Sequence, residues 1–211
     1  MNTSLYLYPL PPLDEPPDPG AVTETLRGSG FLGEALASGR YLVGDDFFCW
    51  ITFAGCSPHL ELEPGGEGEW NFTHLRLHLE PVPGLRIAPQ RGRPRCPRCR
   101  AAVPEWKARL PQWRLDATDL YSCPECGHEG PVAELDWRQY GVAARLLVEL
   151  CRVWPGEAVP ADALLGALEE ATARPWSYAW AVSHPQAGQA ATRAASGSSS
   201  SRLTGRWSEK E

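Results

Sequence analysis

Hydrophobic and polar positions alternate most cleanly between Thr73 and Glu80, where Leu75, Leu77 and Leu79 share one parity and His74, Arg76, His78 and Glu80 the other. A period of two predicts a strand over 73–80 with one buried and one wet face. The run Phe47-Phe48-Cys49-Trp50-Ile51-Thr52-Phe53-Ala54 is instead apolar at both parities and rich in aromatic and β-branched residues, which predicts a central strand over 47–54. Gly55 ends it, and Cys56-Ser57-Pro58-His59 supplies a turn. The period changes over 161–172, where Leu164, Leu165, Leu168 and Ala171 fall at helical spacing, Pro160 stands at the entry, and Glu169 and Glu170 take the polar side. Apolar segments at 145–153 and 176–183 flank that helix and predict a βαβ-like unit. A short helical turn near Trp137 precedes it, because Gly141 and the Pro155-Gly156 turn disfavour one longer helix.

The chain ends read differently. Pro9, Pro11, Pro12, Pro16, Pro17 and Pro19 exclude a helix and predict an extended N-terminal arm over 1–20. A short helix over Ala21–Arg27 follows. From Gln186 onward Gly, Ser, Ala and Thr dominate, so 186–211 is expected to be a disordered tail. The fold class is α+β: a small mixed sheet with a C-terminal βαβ-like unit, one composite body over 21–93 and 131–185, and a module inserted at 94–130 between the body's second and third strands.

That module carries the strongest chemical signal in the chain. Cys96-Pro97-Arg98-Cys99 and Cys123-Pro124-Glu125-Cys126 are two CxxC turns separated by one loop, which can bring four thiolates to one tetrahedral ion. Such a site is closed and structural, since a fourth thiolate leaves no position open for substrate. The segment resembles zinc ribbons and rubredoxin-like knuckles over about residues 94–130. The resemblance implies two short hairpins pinned by Cys96, Cys99, Cys123 and Cys126 around one structural zinc ion. Two departures stand out: Arg100 occupies the position where such a knuckle usually has glycine or a small residue, and the loop from Arg100 to Ser122 is somewhat long. With zinc as the organising element, the module is expected to be held by metal rather than by a core of its own.

Charge is distributed unevenly. The net charge is −6, yet Arg86, Arg91, Arg93, Arg95, Arg98, Arg100, Lys107, Arg109 and Arg114 face only Glu105 within their window. A basic island on an acidic protein suits an acidic partner, whereas the surrounding negative charge opposes binding of a polyanion. The candidate partner surface is therefore Arg91, Arg93, Arg95, Arg98, Arg100, Trp106, Lys107, Arg109, Trp113 and Arg114. Nucleic acid is the second possible partner, with the indoles stacking on bases.

Other candidates carry less. His74 and His78 share a strand face about 13 Å apart at roughly 3.3 Å per residue, too far for one ion, and are expected to be solvated. Cys56 and His59 could form a thiolate nucleophile, but no orienting third residue or oxyanion loop accompanies them. Cys49 and Cys151 are expected in the core. No P-loop, GxSxG or HExxH pattern occurs. Seven cysteines, four of them in knuckles, argue against a disulfide framework and for a reducing cytoplasm. No apolar run reaches membrane-spanning length, so no membrane is expected as a partner. Scarce lysine and abundant Ala, Pro, Gly and Trp suggest a GC-rich bacterial source. The sequence thus predicts a non-catalytic zinc-binding accessory or adaptor protein that docks onto another protein. Its alternatives are a nucleic-acid-binding module, and a thiol enzyme or metal-delivery factor using Cys56 and His59.

Overall fold

The structure, a computed structural model, describes residues 3–36, 39–54, 60–65, 70–88, 91–154 and 156–182. The expected turn at Cys56–His59 and the expected tail lie outside the described residues. The chain runs β1 (Thr3–Pro9), α1 (Pro19–Gly28), β2 (Leu32–Leu36), β3 (Arg40–Val43), α2 (Phe47–Trp50), β4 (Ile51–Phe53) and β5 (Leu75–Leu79). Then come β6 (Arg86–Ile87), α3 (Trp106–Trp113), β7 (Leu120–Ser122), β8 (Glu129–Pro131) and β9 (Gly141–Val142). It closes with β10 (Leu146–Cys151), β11 (Ala158–Pro160), α4 (Asp162–Thr172) and β12 (Trp176–Val182).

The fold is α+β, built on a six-stranded sheet of order β12-β1-β10-β5-β3-β2. Every pairing in it is antiparallel, which corrects the expectation of a mixed sheet. The reason is β1: the expected N-terminal arm begins as a strand that inserts between β10 and β12, with Tyr6 opposite Glu149 on one side and Ala179 on the other. Both neighbours run antiparallel to β1, so they point the same way and α4 links them. The βαβ-like unit is therefore present in split form. Leu5 and Leu7 alternate with Ser4, Tyr6 and Tyr8 in β1, a strand pattern that the prolines beginning at Pro9 obscure in the sequence.

One sheet face packs on α1 and α4. Leu5, Leu7, Leu75, Leu146, Val148, Leu150 and Trp180 meet Val22, Leu26, Leu164 and Leu168 in the main core. Helix α1 starts where Asp18 accepts from the Gly20 and Ala21 amides, both at 3.1 Å, with Pro19 in the first turn.

The expected central strand over 47–54 is corrected in two ways. Phe47–Trp50 is a short helix and Ile51–Phe53 pairs with β11 in a separate two-stranded ladder. The aromatic run is not buried on both faces: Phe47 and Ile51 enter the core while Phe48 and Cys49 are exposed. One turn of helix puts residues four apart on one side, which satisfies Phe47 and Ile51 together.

Residues 80–145 leave the sheet between β5 and β10, which are neighbours in it, and return through the β6–β9 ladder. They enclose a second core of Leu85, Ile87, Cys96, Val103, Trp113, Ala117, Tyr121, Cys123, Val132, Leu135, Trp137 and Ala143. The module accordingly has a hydrophobic core as well as cysteines, which corrects the expectation that metal alone would hold it. Gly84 permits the close crossing at its base, since a Cβ there would lie 2.1 Å from the Arg114 carbonyl oxygen.

Candidate metal centre

Each knuckle is a tight turn closed by its own backbone. The Arg100 amide donates to the Cys96 carbonyl at 3.0 Å, and the Cys96 amide to the Ala101 carbonyl at 2.9 Å. The second knuckle repeats both contacts, Gly127 to Cys123 at 2.9 Å and Cys123 to His128 at 2.8 Å. Arg100 and Gly127 are both left-handed, at φ 66° and 68°.

The turns bring all four sulfurs within 4.8 Å of one another. Cys96 Sγ lies 3.8 Å from Cys126 Sγ and Cys99 Sγ lies 3.6 Å from Cys123 Sγ. A tetrahedral ion with metal–sulfur bonds of about 2.3 Å requires sulfurs about 3.8 Å apart, and a disulfide requires about 2.05 Å. The arrangement fits a metal ion and not a pair of disulfides. Cys96 and Cys123 are buried, Cys126 is half-buried and Cys99 is exposed, so the site sits at the module surface with its floor in the second core. Burial opposes ionisation of Cys123, but the Cys126 and Glu125 amides and the neighbouring thiols outweigh it and pull that thiol down to about 6. Tyr121 stands beside Cys123: burial first, then the thiolate charge, pushes its hydroxyl up to about 12.

Around this centre the expected partner surface divides. Arg91, Arg93, Arg95, Arg98, Arg100, Lys107, Arg109 and Arg114 are all exposed. Arg91 donates to the Tyr140 hydroxyl at 3.2 Å, Arg100 pairs with Asp136 at 3.4 Å and Lys107 lies over the Trp106 ring. Among the described residues, Arg93, Arg95, Arg98, Arg109 and Arg114 have no side-chain ion pair. The tryptophans behave otherwise. Trp113 is fully buried and donates to Asp119, so its place in a contact surface is corrected to a place in the core. Trp106 is half-buried and meets Trp137 edge-on, at a centroid distance of 5.9 Å and an angle of 85°.

The remaining sequence candidates do not join the cluster. Cys49 is exposed on α2, which corrects its expected core position. Cys151 is buried in β10 as expected, and burial pushes its thiol up. His74 and His78 are not solvated: His74 is 3% exposed, with Nδ1 2.8 Å from the Phe72 carbonyl oxygen, and His78 Nε2 lies 2.7 Å from Glu149 Oε2. Their face of β5 is covered, so the wet face predicted for that strand is corrected as well.

What the sequence reading missed is Glu149. It is 1% exposed, on the sheet face opposite the helices, and Ser4 Oγ and Tyr6 Oη donate to its Oε1 at 2.7 and 2.9 Å. Arg76 approaches Oε2 at 3.7 Å. The one signal available was a carboxylate inside the otherwise apolar run Leu146-Leu147-Val148-Glu149-Leu150-Cys151.

Among the described residues, no helix is long and apolar enough to cross a membrane. No protein-family model matches the chain, and no curated protein or solved structure matches it significantly.

Proposed function

We propose that Cys96, Cys99, Cys123 and Cys126 hold one structural zinc ion, and that the module they organise docks through its arginines onto an acidic protein partner. The chain is then a non-catalytic accessory or adaptor protein of the bacterial cytoplasm, a reducing compartment in which four thiolates stay available. The observation that carries this reading is a set of exposed arginines without ion pairs, presented by a module whose metal-binding geometry and core fix their positions. Free guanidiniums on a rigid support lose little entropy when they meet carboxylates, and charge complementarity steers the encounter. Zinc in such a site supplies folding energy and alignment of the two knuckles rather than chemistry. Burial of Trp113 leaves the half-buried Trp106 as the one indole of the expected pair with any open surface, fewer than the successive stacking platforms that a single-stranded nucleic-acid site uses.

The test is an affinity pull-down from native lysate with and without nuclease, using wild type, Cys123→Ser and the charge-reversed Arg93→Glu/Arg98→Glu pair. The expected result is one zinc per chain in wild type and a nuclease-resistant partner lost in both variants. Unchanged metal content in Cys123→Ser rejects the site, and nuclease-sensitive recovery replaces the protein partner with nucleic acid.

A further inference from the structure

The sheet face opposite the helices is divided between two kinds of surface. Over β1 and β12 the neck of the module covers it, where Val142 and Ala144 pack on Tyr6, Leu147, Ala179 and Ala181. Over β3, β5 and β10 the row Arg40–Arg76–Glu149 runs across adjacent strands, each member paired with the next in register.

Two guanidiniums therefore face one carboxylate in a poorly solvated place. Arg40 is 7% exposed and Arg76 8%. Glu149 is already engaged by Ser4, Tyr6 and His78, and it lies 3.7 Å from Arg76. Among the described residues the buried Arg40 Nε has no hydrogen-bond partner, and the guanidinium rests on the Trp70 ring at 4.1 Å from the centroid. His74 beside them has its pKa lowered, first by burial and further by the charges of Arg40 and Arg76, and an imidazole in either protonation state supplies no negative charge. The neighbouring cation on this face, Arg86, is paired with Glu80 and also feels the charge of Glu149. An arginine cannot shed its proton to relieve burial as a lysine can. Like charges directly opposite on neighbouring strands repel, and a buried charge without a partner is destabilising unless an anion compensates it.

We infer that Arg40 and Arg76 form a binding site for a compact oxyanion, the phosphate or carboxylate group of a small ligand, on the face of the sheet away from α1 and α4. The anion bridges the two guanidiniums, and Trp70 backs Arg40. Planar guanidinium forks suit such two-point recognition, and the surrounding burial strengthens it. The site uses no residue of the metal centre and is independent of the docking proposal.

The test follows arginine Nε–H resonances of the full chain by NMR during titration with inorganic phosphate, against sodium chloride at matched ionic strength. Arg40→Lys assigns the Arg40 signal while keeping its charge. The expected result is a saturable shift of the Arg40 signal at millimolar phosphate, weakened by about tenfold or more in Arg76→Gln and unchanged in Arg93→Gln. A parallel titration with acetate separates the sources: an equal response marks a carboxylate ligand, and a response to phosphate alone marks a phosphoryl ligand. Absence of a saturable shift with either anion overturns the site, as does an equal shift in folded Arg76→Gln. If Arg76→Gln does not fold, Arg40→Lys decides by thermal denaturation: a phosphate-dependent rise in Tm equal to that of wild type overturns the site.

Discussion

Arg100 and Gly127 adopt the same left-handed backbone, φ 66° and 68°, each one residue past the second cysteine of its knuckle. Each donates its amide to the carbonyl of that knuckle's first cysteine. The two turns are thus local copies, one built with the residue suited to positive φ and one without it. Replacing Arg100 by glycine and by alanine removes the Asp136 ion pair in both cases, so the difference between the two variants isolates the backbone. Arg100→Gly is expected to be more stable than Arg100→Ala by about 1 kcal/mol, read by urea unfolding of the zinc-loaded chain. Gly127→Ala should cost a similar amount through φ alone, because an added Cβ meets nothing within 4 Å.

Trp113 is a core residue although it lies in the most basic stretch of the chain. Trp113→Ala should destabilise the module by about 3–5 kcal/mol, the range for emptying a buried aromatic site. Trp106→Ala should cost clearly less, since that ring is half-buried. Limited proteolysis within 94–130 reads the difference. Equal protection of the two variants contradicts the packing of the second core.

Glu149 is expected to matter through its partners. Glu149→Leu leaves the buried Arg76 without its carboxylate and frees Ser4 and Tyr6 from their acceptor. The expected loss is about 3–5 kcal/mol, measured by chemical denaturation. A loss below about 1 kcal/mol means that the polar row is already solvated.

His74 gives a pH dependence of definite sign. Burial holds its pKa below the ordinary 6.5, so the unfolded chain binds the proton more readily than the folded one. Stability should fall as pH drops below about 6.5 and stop falling through this group once its depressed folded value is passed. His74→Asn keeps a donor for the Phe72 carbonyl and removes the titration. Its unfolding free energy should therefore be flatter with pH in that window, and a slope equal to that of wild type assigns the pH dependence to other groups.

The sequence by itself determined what depends on neighbouring residues. The spacing within and between the CxxC turns was enough to nominate the four cysteines, because each turn presents its sulfurs locally and one loop joins the turns. The period of α4 and the apolar runs of β10 and β12 were likewise local signals. Tertiary structure decided the rest. Whether Phe47-Phe48-Cys49-Trp50 becomes strand or helix depends on which of its side chains Phe31 and the main core admit, and that is set far away in the chain. The strand β1 is recruited by β10 and β12, more than 130 residues later, as Ser4 and Tyr6 bonding to Glu149 at separations of 145 and 143 residues records. The polar parity of β5 reads as solvent-facing in one dimension, yet its neighbours come from β3 and β10. Only folding brings Arg40, Arg76 and Glu149 into one row, because strand pairing places residues by register rather than by distance along the chain.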